Sequence, residues 1–347
     1  MPFLRVASPG LLTTVQDRGR FYFQKWGVPV AGAMDEYALR VANMLVGNHE
    51  DEACLEITLL GPEIMFLEAG LIALTGGDLG AVLNDSPVEP WSSFPVEKGD
   101  TLKFTGRGIG CRAYLGVAGG FKVPRVMESK STYLRGSMGG MKGRALREGD
   151  ELEVDKQELN KSFISVQAPP EYRYEPAPPF VVRVILGPQE HAFTQRGIET
   201  FLKSKYVVTH ESDRMGCRLD GPVIQHKGEP DIISDGIAIG SIQVPGKGTP
   251  IIMMAERQTT GGYAKIATVI TPDLWKIAQA KPGDGISFTA VTPEQARSEY
   301  IEYENMLKKL PRKLAQLQEK QWEKGENKKL LLVRVAGKEY RVEIKEL

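Results

Sequence analysis

No apolar run in this chain travels far before a glycine or a proline stops it. Leu71-Ile-Ala-Leu-Thr, Ala113-Tyr-Leu-Gly-Val-Ala, Phe180-Val-Val-Arg-Val-Ile-Leu and Ile251-Ile-Met-Met-Ala are each of strand length, and turn residues end them. With 37 Gly and 22 Pro in 347 residues, both above the usual share, the composition favours many short strands over long helices. The expected fold class is therefore mainly β. Gly99-Asp100, Gly149-Asp150 and Gly283-Asp284 each precede an alternating strand. One such unit is a common turn, but copies near the end of each half predict a duplicated architecture of two barrel-like domains in tandem.

The clearest boundary is the run 155–179, where Pro169, Pro170, Pro176, Pro178 and Pro179 remove backbone donors and favour extended chain. It reads as a linker between a first domain, 1–154, and a second, 180–291. Met34 to Leu45 carries Tyr37, Val41 and Met44-Leu45 at helical spacing and stops at Gly47. In the C-terminal part, 292–347, Thr292-Pro293-Glu294-Gln295 is a capping box. Ala296, Tyr300, Tyr303, Leu307, Leu310, Leu314 and Leu317 follow as one apolar stripe. Pro311 is expected to kink or split that helix. Its apolar face is expected to pack on its own barrel, the alternative being that it docks a partner. Leu330 to Ile344 reads as a hairpin turning at Ala336-Gly337.

Several function classes are disfavoured. Lys plus Arg (44) equals Asp plus Glu (44), and proteins that wrap nucleic acid or lie on anionic membranes carry a basic excess. Cys54, Cys111 and Cys217 form no Cys-x-x-Cys pair, and the four histidines are equally scattered, so neither a zinc site nor another protein-bound metal is expected. No apolar run approaches the roughly 18 residues of a membrane span, and the N-terminus lacks a signal peptide's apolar stretch. A soluble, cytoplasmic chain is the expectation. Ser241-Ile-Gln-Val-Pro-Gly-Lys-Gly248 is a near miss to a phosphate-binding loop, but a strand follows it where a helix is needed, so a hairpin turn is expected. Met141-Lys142 lacks the flanks of a biotin-accepting lysine.

Four polar clusters interrupt the apolar strands with groups that are costly to bury unpaired. They are Thr13-Thr14-Val-Gln16-Asp17-Arg18-Gly-Arg20, followed by Gly32-Ala-Met-Asp35; Thr75-Gly76-Gly77-Asp78; Ser212-Asp213-Arg214-Met-Gly216; and Glu256-Arg257-Gln258-Thr259-Thr260-Gly261-Gly262-Tyr263-Ala-Lys265. Taken singly, each reads as a turn with a satisfied ion pair. The stretch Arg257 to Gly262 is the exception, because it leaves an apolar strand directly and offers a guanidinium, an amide and hydroxyls beside glycines.

With Glu56-Ile-Thr58, Gly119-Gly120, Ser129-Lys-Ser-Thr132 and Gly240-Ser-Ile-Gln-Val-Pro245, these clusters resemble the allophanate-hydrolase-subunit-2-like family. That family takes in 5-oxoprolinase subunits, antagonists of sporulation-kinase inhibitors and biotin-dependent carboxyltransferase domains. The resemblance runs from residue 4 to about 290. It implies two cyclophilin-like β-barrels and ATP-dependent opening of 5-oxo-L-proline to L-glutamate. ATP and Mg are implied for a complex with the A subunit of that enzyme and its allophanate-hydrolase-subunit-1-like B subunit, with no covalent biotin on this chain. A carboxyltransferase acting on an amide nitrogen and a non-catalytic antagonist are the alternatives.

On this reading Arg257, Gln258, Thr259 and Thr260 hold substrate carboxylate or phosphoryl oxygens, Asp213 and Arg214 orient them, and Lys265 adds a charge. Gln16, Asp17, Arg18 and Asp78 serve the nucleotide or a partner. Thr14, Asp35, Gly76, Gly77, Gly261, Gly262 and Tyr263 complete the candidate binding set. Cys217 is read as a packed thiol, not a nucleophile.

Overall fold

The computed structural model describes residues 1–106, 108–155, 165–323, 329–335 and 338–344. It is mainly β and two-lobed. In the first lobe two six-stranded sheets share one core. One runs in the order Glu151–Leu152, Leu4–Ser8, Glu63–Phe66, Thr101–Phe104, Ala81–Leu83, Ser86–Pro87. The other runs Val166–Gln167, Ser92–Val96, Gly70–Gly76, Arg112–Val117, Cys54–Thr58, Leu12–Gln16. Val6, Ile64 and Leu102 of the first meet Ile57, Leu74 and Leu115 of the second. Gly70–Gly76 and Arg112–Val117 are buried along their whole length, because helix α1 (Glu36–Leu45) covers their outer face. Asp35 starts that helix by accepting a hydrogen bond from the Ala38 amide at 3.1 Å.

The second lobe is a closed seven-strand barrel in the order Phe180–Leu186, Lys265–Val269, Ser241–Gln243, Ile251–Met253, Gly216–Asp220, Lys205–Val208, Gly285–Ala290. A parallel pairing of the first and last of these, with Phe180 opposite Ile286, closes it and leaves no barrel edge exposed. Val182, Val184, Ile242, Ile252 and Phe288 fill the interior. Helix α2 (Gln195–Lys203) packs on the barrel's last strand, and α3 (Leu274–Gln279) reaches the first lobe. Ser241–Gln243 and Ile251–Met253 pair antiparallel, Ile242 opposite Ile252, so the near-miss phosphate loop is the hairpin that its context predicted.

The three Gly-Asp units are one physical device. Gly99, Gly149 and Gly283 have φ of 97°, 83° and 94°, the left-handed conformation a type II turn demands at its third position. Asp100, Asp150 and Asp284 then accept the amide three residues earlier, from Glu97, Arg147 and Lys281, at 2.7, 2.8 and 3.0 Å. Each turn launches a strand.

The C-terminal helix departs from expectation twice. Its capping box forms, with Gln295 amide to Thr292 Oγ1 at 3.2 Å and Thr292 amide to Gln295 Oε1 at 2.9 Å. Yet α4 (Pro293–Glu323) continues through Pro311 unsplit. A proline in a helix interior costs about 3 kcal/mol, whereas the fully buried Leu307, Leu310 and Leu314 each contribute roughly 1.5 to 3 kcal/mol. Pro311 itself faces solvent. Nor does α4 pack chiefly on its own barrel: its leucines join the core around α1 of the first lobe. The proline-rich run is tied down as well. Val166–Gln167 pairs with Ser92–Val96, and Tyr172 is buried. Lys329–Val335 and Lys338–Ile344 pair antiparallel, and the turn expected at Ala336-Gly337 lies outside the described residues. Among the described residues no helix is long and apolar enough to cross a membrane.

Candidate functional site

Between the lobes lies a buried ionic seam. Asp213 Oδ1 accepts the amides of Met215 and Gly216 at 2.8 and 3.1 Å, and this turn projects Arg214 inward. Arg214 Nε donates to Glu256 at 2.7 Å, Nη1 to Glu56 of the first lobe, and Nη2 to the Gly32 carbonyl at 2.6 Å. Burial alone would lower the ionisation of Arg214, but the charges of Glu56 and Glu256 override it and hold the guanidinium raised. Glu56 Oε2 also accepts from Tyr114 and from the Met34 amide, both at 2.7 Å. Gln279 of α3 donates to Asp35 at 2.8 Å and to the Arg112 carbonyl at 2.9 Å, and accepts the Cys111 and Arg112 amides at 3.0 Å. Tyr174 donates to Asp35 and stacks on Trp275, ring centroids 3.9 Å apart. Burial pushes the Asp35 carboxyl upward against those hydrogen bonds.

Beside this seam is a cavity of about 100 Å³ whose walls come from both lobes. Arg257 heads it, with Arg18, Tyr37, Trp275 and Tyr303 among the lining residues. Arg257 Nε donates to the Ile237 carbonyl at 2.9 Å and Nη1 to the Met254 carbonyl at 3.2 Å. No carboxylate among the described residues pairs with it. Burial, unopposed, pulls its ionisation down to about 10, so it stays charged at neutral pH. A guanidinium has five N–H groups, and those not given to these carbonyls are available to an anion. Nearby, Gln258 Oε1 is buried without a partner. A β-carbon on Gly261 would sit 2.9 Å from Gln243 Nε2 and 3.4 Å from Gln258 Nε2, so glycine is what lets the two amides converge there.

The remaining candidates divide. Thr260–Tyr263 pairs with Asp231–Gly236 as an exposed two-stranded flap, which places Thr260, Gly262 and Tyr263 on that flap, while Thr259 fastens its base by accepting the Ile237 amide at 3.0 Å. Lys265 is buried and spent on Asp235 at 2.7 Å and the Gly236 carbonyl at 3.0 Å. Arg214 and Asp213 are seam and turn residues, not free substrate ligands. Arg18 reaches the cavity but pairs with Glu36 and Asp51 at 2.9 and 2.8 Å. Asp17 knots its loop to Ser129 at 2.7 Å, the Lys130 amide at 2.6 Å and Ser131. Gln16 donates to Thr14 at 3.0 Å and to the Thr132 carbonyl at 3.1 Å. Gly76 and Gly77 make room for the Arg112 carbonyl and for Gln279, with β-carbons that would lie 2.5 and 2.9 Å away. Asp78 is an exposed turn residue that accepts the Gly80 amide at 2.8 Å. Cys217 is packed in the barrel core, its thiol pushed up to about 12 by burial, which leaves it a poor nucleophile at neutral pH.

Glu56, Glu256, Gln279, Trp275 and Tyr303 carry the site's frame without having been assigned a role from sequence. Glu56 had a signal: it is the lone carboxylate in the five-residue strand Cys54–Thr58, buried at every position. Gln279 had none.

Fold and site together define a two-lobed, mainly β protein that keeps an arginine-headed cavity at the seam of its lobes. The chain belongs to the carboxyltransferase domain family, subdomains A and B, which matches residues 26–290. It is 37% identical to the C subunit of 5-oxoprolinase from Escherichia coli over 293 residues, 84% of this chain and 93% of that one. It is 38% identical to the corresponding C subunit of the Haemophilus influenzae 5-oxoprolinase over 283 residues, 82% of this chain and 89% of the other. The crystal structure of Kluyveromyces lactis urea carboxylase superposes with a TM-score of 0.83 at 33% identity, covering 88% of this chain but 29% of that enzyme.

Proposed function

We propose that this chain is one component of an ATP-dependent 5-oxoprolinase that opens 5-oxo-L-proline to L-glutamate together with partner A and B subunits. The observation that carries the reading is Arg257: a charged, half-buried guanidinium with no carboxylate of its own, lining a small interlobe cavity. It suits the substrate carboxylate. A lactam is a poor electrophile, and ATP serves the complex by making the carbonyl oxygen a leaving group. In this reading a partner holds the magnesium nucleotide and this chain orients the lactam.

The test is Arg257→Ala in the reconstituted complex, scored by ATP-dependent release of glutamate. A charged hydrogen bond to a group remote from the reacting carbonyl contributes about 1.5 to 3 kcal/mol, so KM should rise roughly 10- to 100-fold with a smaller change in kcat. Wild-type kinetics in a folded, assembled variant would refute the role. The match to urea carboxylase supports a second reading, in which the same cavity accepts a carboxyl group from carboxybiotin on a separate carrier and passes it to an amide nitrogen. Retention of the native complex on avidin, without turnover of 5-oxoproline, would favour it.

A further inference from the structure

One wall of the cavity headed by Arg257 comes from α4, beyond the end of the matched region 26–290. Tyr303 of α4 lines it, facing Tyr37 at 5.6 Å between ring centroids. The ring is not free to swing away. The Arg40 guanidinium lies 5.9 Å from its centroid, and the neighbouring Glu304 holds that guanidinium at two points, 2.7 and 3.0 Å. Leu307 and Leu310, one and two turns on, are fully buried against the first lobe. On the opposite side Trp275 is fixed by its stack on Tyr174. Arg18 and Phe21 line both this cavity and a surface groove of about 420 Å³, so the two lie side by side.

Size decides what such a chamber admits. A dry cavity of roughly 150 Å³ holds a six-membered aromatic ring, and this one has about 100 Å³. We propose that α4 is part of the ligand site and that Tyr303 is its size-determining residue: the chamber takes a five-membered cyclic carboxylate and rejects the six-membered homologue. The inference rests on the reading of Arg257 as the carboxylate anchor. Tyr303 acts through its ring rather than its hydroxyl, as the wall that a larger ring would strike. One methylene too many against the aromatic walls of Tyr37, Trp275 and Tyr303 costs about tenfold or more in affinity.

The experiment is calorimetric titration of the full chain with 5-oxoproline, its six-membered homologue 6-oxopiperidine-2-carboxylate, cyclopentanecarboxylate and cyclohexanecarboxylate. Wild type and Tyr303→Phe are expected to prefer each five-membered acid by about tenfold. In Tyr303→Ala the preference should shrink to about twofold or invert, because the lost ring leaves space for the larger acid. A preference kept in Tyr303→Ala, lost in Tyr303→Phe, or missing from wild type overturns the proposal, as does failure of wild type to bind any of the four. Arg257→Ala separates the two ideas. Undiminished binding there defeats the anchor, whereas a Tyr303-dependent size preference in a complex that never releases glutamate defeats only the 5-oxoprolinase reading.

Discussion

Arg214 and Arg257 are both withdrawn from water, and what each meets there decides what it does. Arg214 is clasped by Glu56 and Glu256 and stays charged because they outweigh its burial. Arg257 meets only carbonyl oxygens and holds its charge at a cost to the fold. Opposite stabilities follow on mutation. Glu56→Gln leaves Arg214 undercompensated between the lobes and should destabilise the protein by about 3 kcal/mol, read as a lower urea midpoint at constant slope. Arg257→Met removes a half-buried charge that no carboxylate neutralises, and is expected to leave the midpoint unchanged or raise it while weakening carboxylate binding roughly 10- to 100-fold. A Met variant that is strongly destabilised would mean that Arg257 is a structural residue. Sequence already set Arg257 apart, because its stretch leaves an apolar strand directly, but it did not show what Arg214 meets. The partners of Arg214 lie 158 and 42 residues away, and separations of that size carry no local pattern.

At the level of elements, what is local was readable. The Gly-Asp turns, the strands that follow them and the Thr292 cap depend on residues within three or four positions of one another. In the turns glycine is required by conformation alone, since a β-carbon on Gly99, Gly149 or Gly283 would meet nothing within 4 Å. Gly149→Ala and Gly283→Ala should therefore each cost about 1 to 2 kcal/mol, the penalty of a left-handed backbone for an L-residue. Gly228, equally open but without positive φ, is the control, and Gly228→Ala should fall within about 0.5 kcal/mol of wild type. Equal effects at all three sites in a thermal melt would contradict the turn argument. Packing between distant elements was not readable. Whether strands close into a barrel or stack as two sheets depends on which edges meet, and the passage of α4 through Pro311 depends on a first-lobe surface about 260 residues upstream, where Arg40 pairs with Glu304.

For the whole molecule, α4 is the strap that holds the two lobes at one spacing. Its Glu299 pairs with Arg183 of the barrel at 2.8 Å, Glu304 with Arg40 of α1 at 2.7 Å, and Lys313 with Glu171 of the connecting run. The pair with α1 matters most, because Arg40 is only 2% exposed. Hydrogen bonding to Arg40 holds the Glu304 carboxyl below its ordinary range, and the Arg183 guanidinium, outweighing burial, does the same for Asp273 at the foot of α3. For carboxyls depressed in the folded state the sign is fixed: their stabilisation is complete above the ordinary carboxylate range and is lost as pH falls through and below it. The strap should loosen in acid before either lobe core unfolds. Glu304→Gln brings the same loosening to neutral pH, leaving Arg40 paired with Glu50 at 2.9 Å and Glu36 at 3.7 Å. Hydrogen exchange, corrected for intrinsic rate, should then quicken along 300–310 at pH 7 in the variant and, in wild type, only as pH falls below the ordinary carboxylate range. Amides of Val182–Val184 in the barrel and Ile72–Leu74 in the first lobe should stay protected in both. If α4 exchanges no faster than those core strands in Glu304→Gln, the leucine face alone holds α4 to the first lobe and the ion pair contributes nothing to that hold.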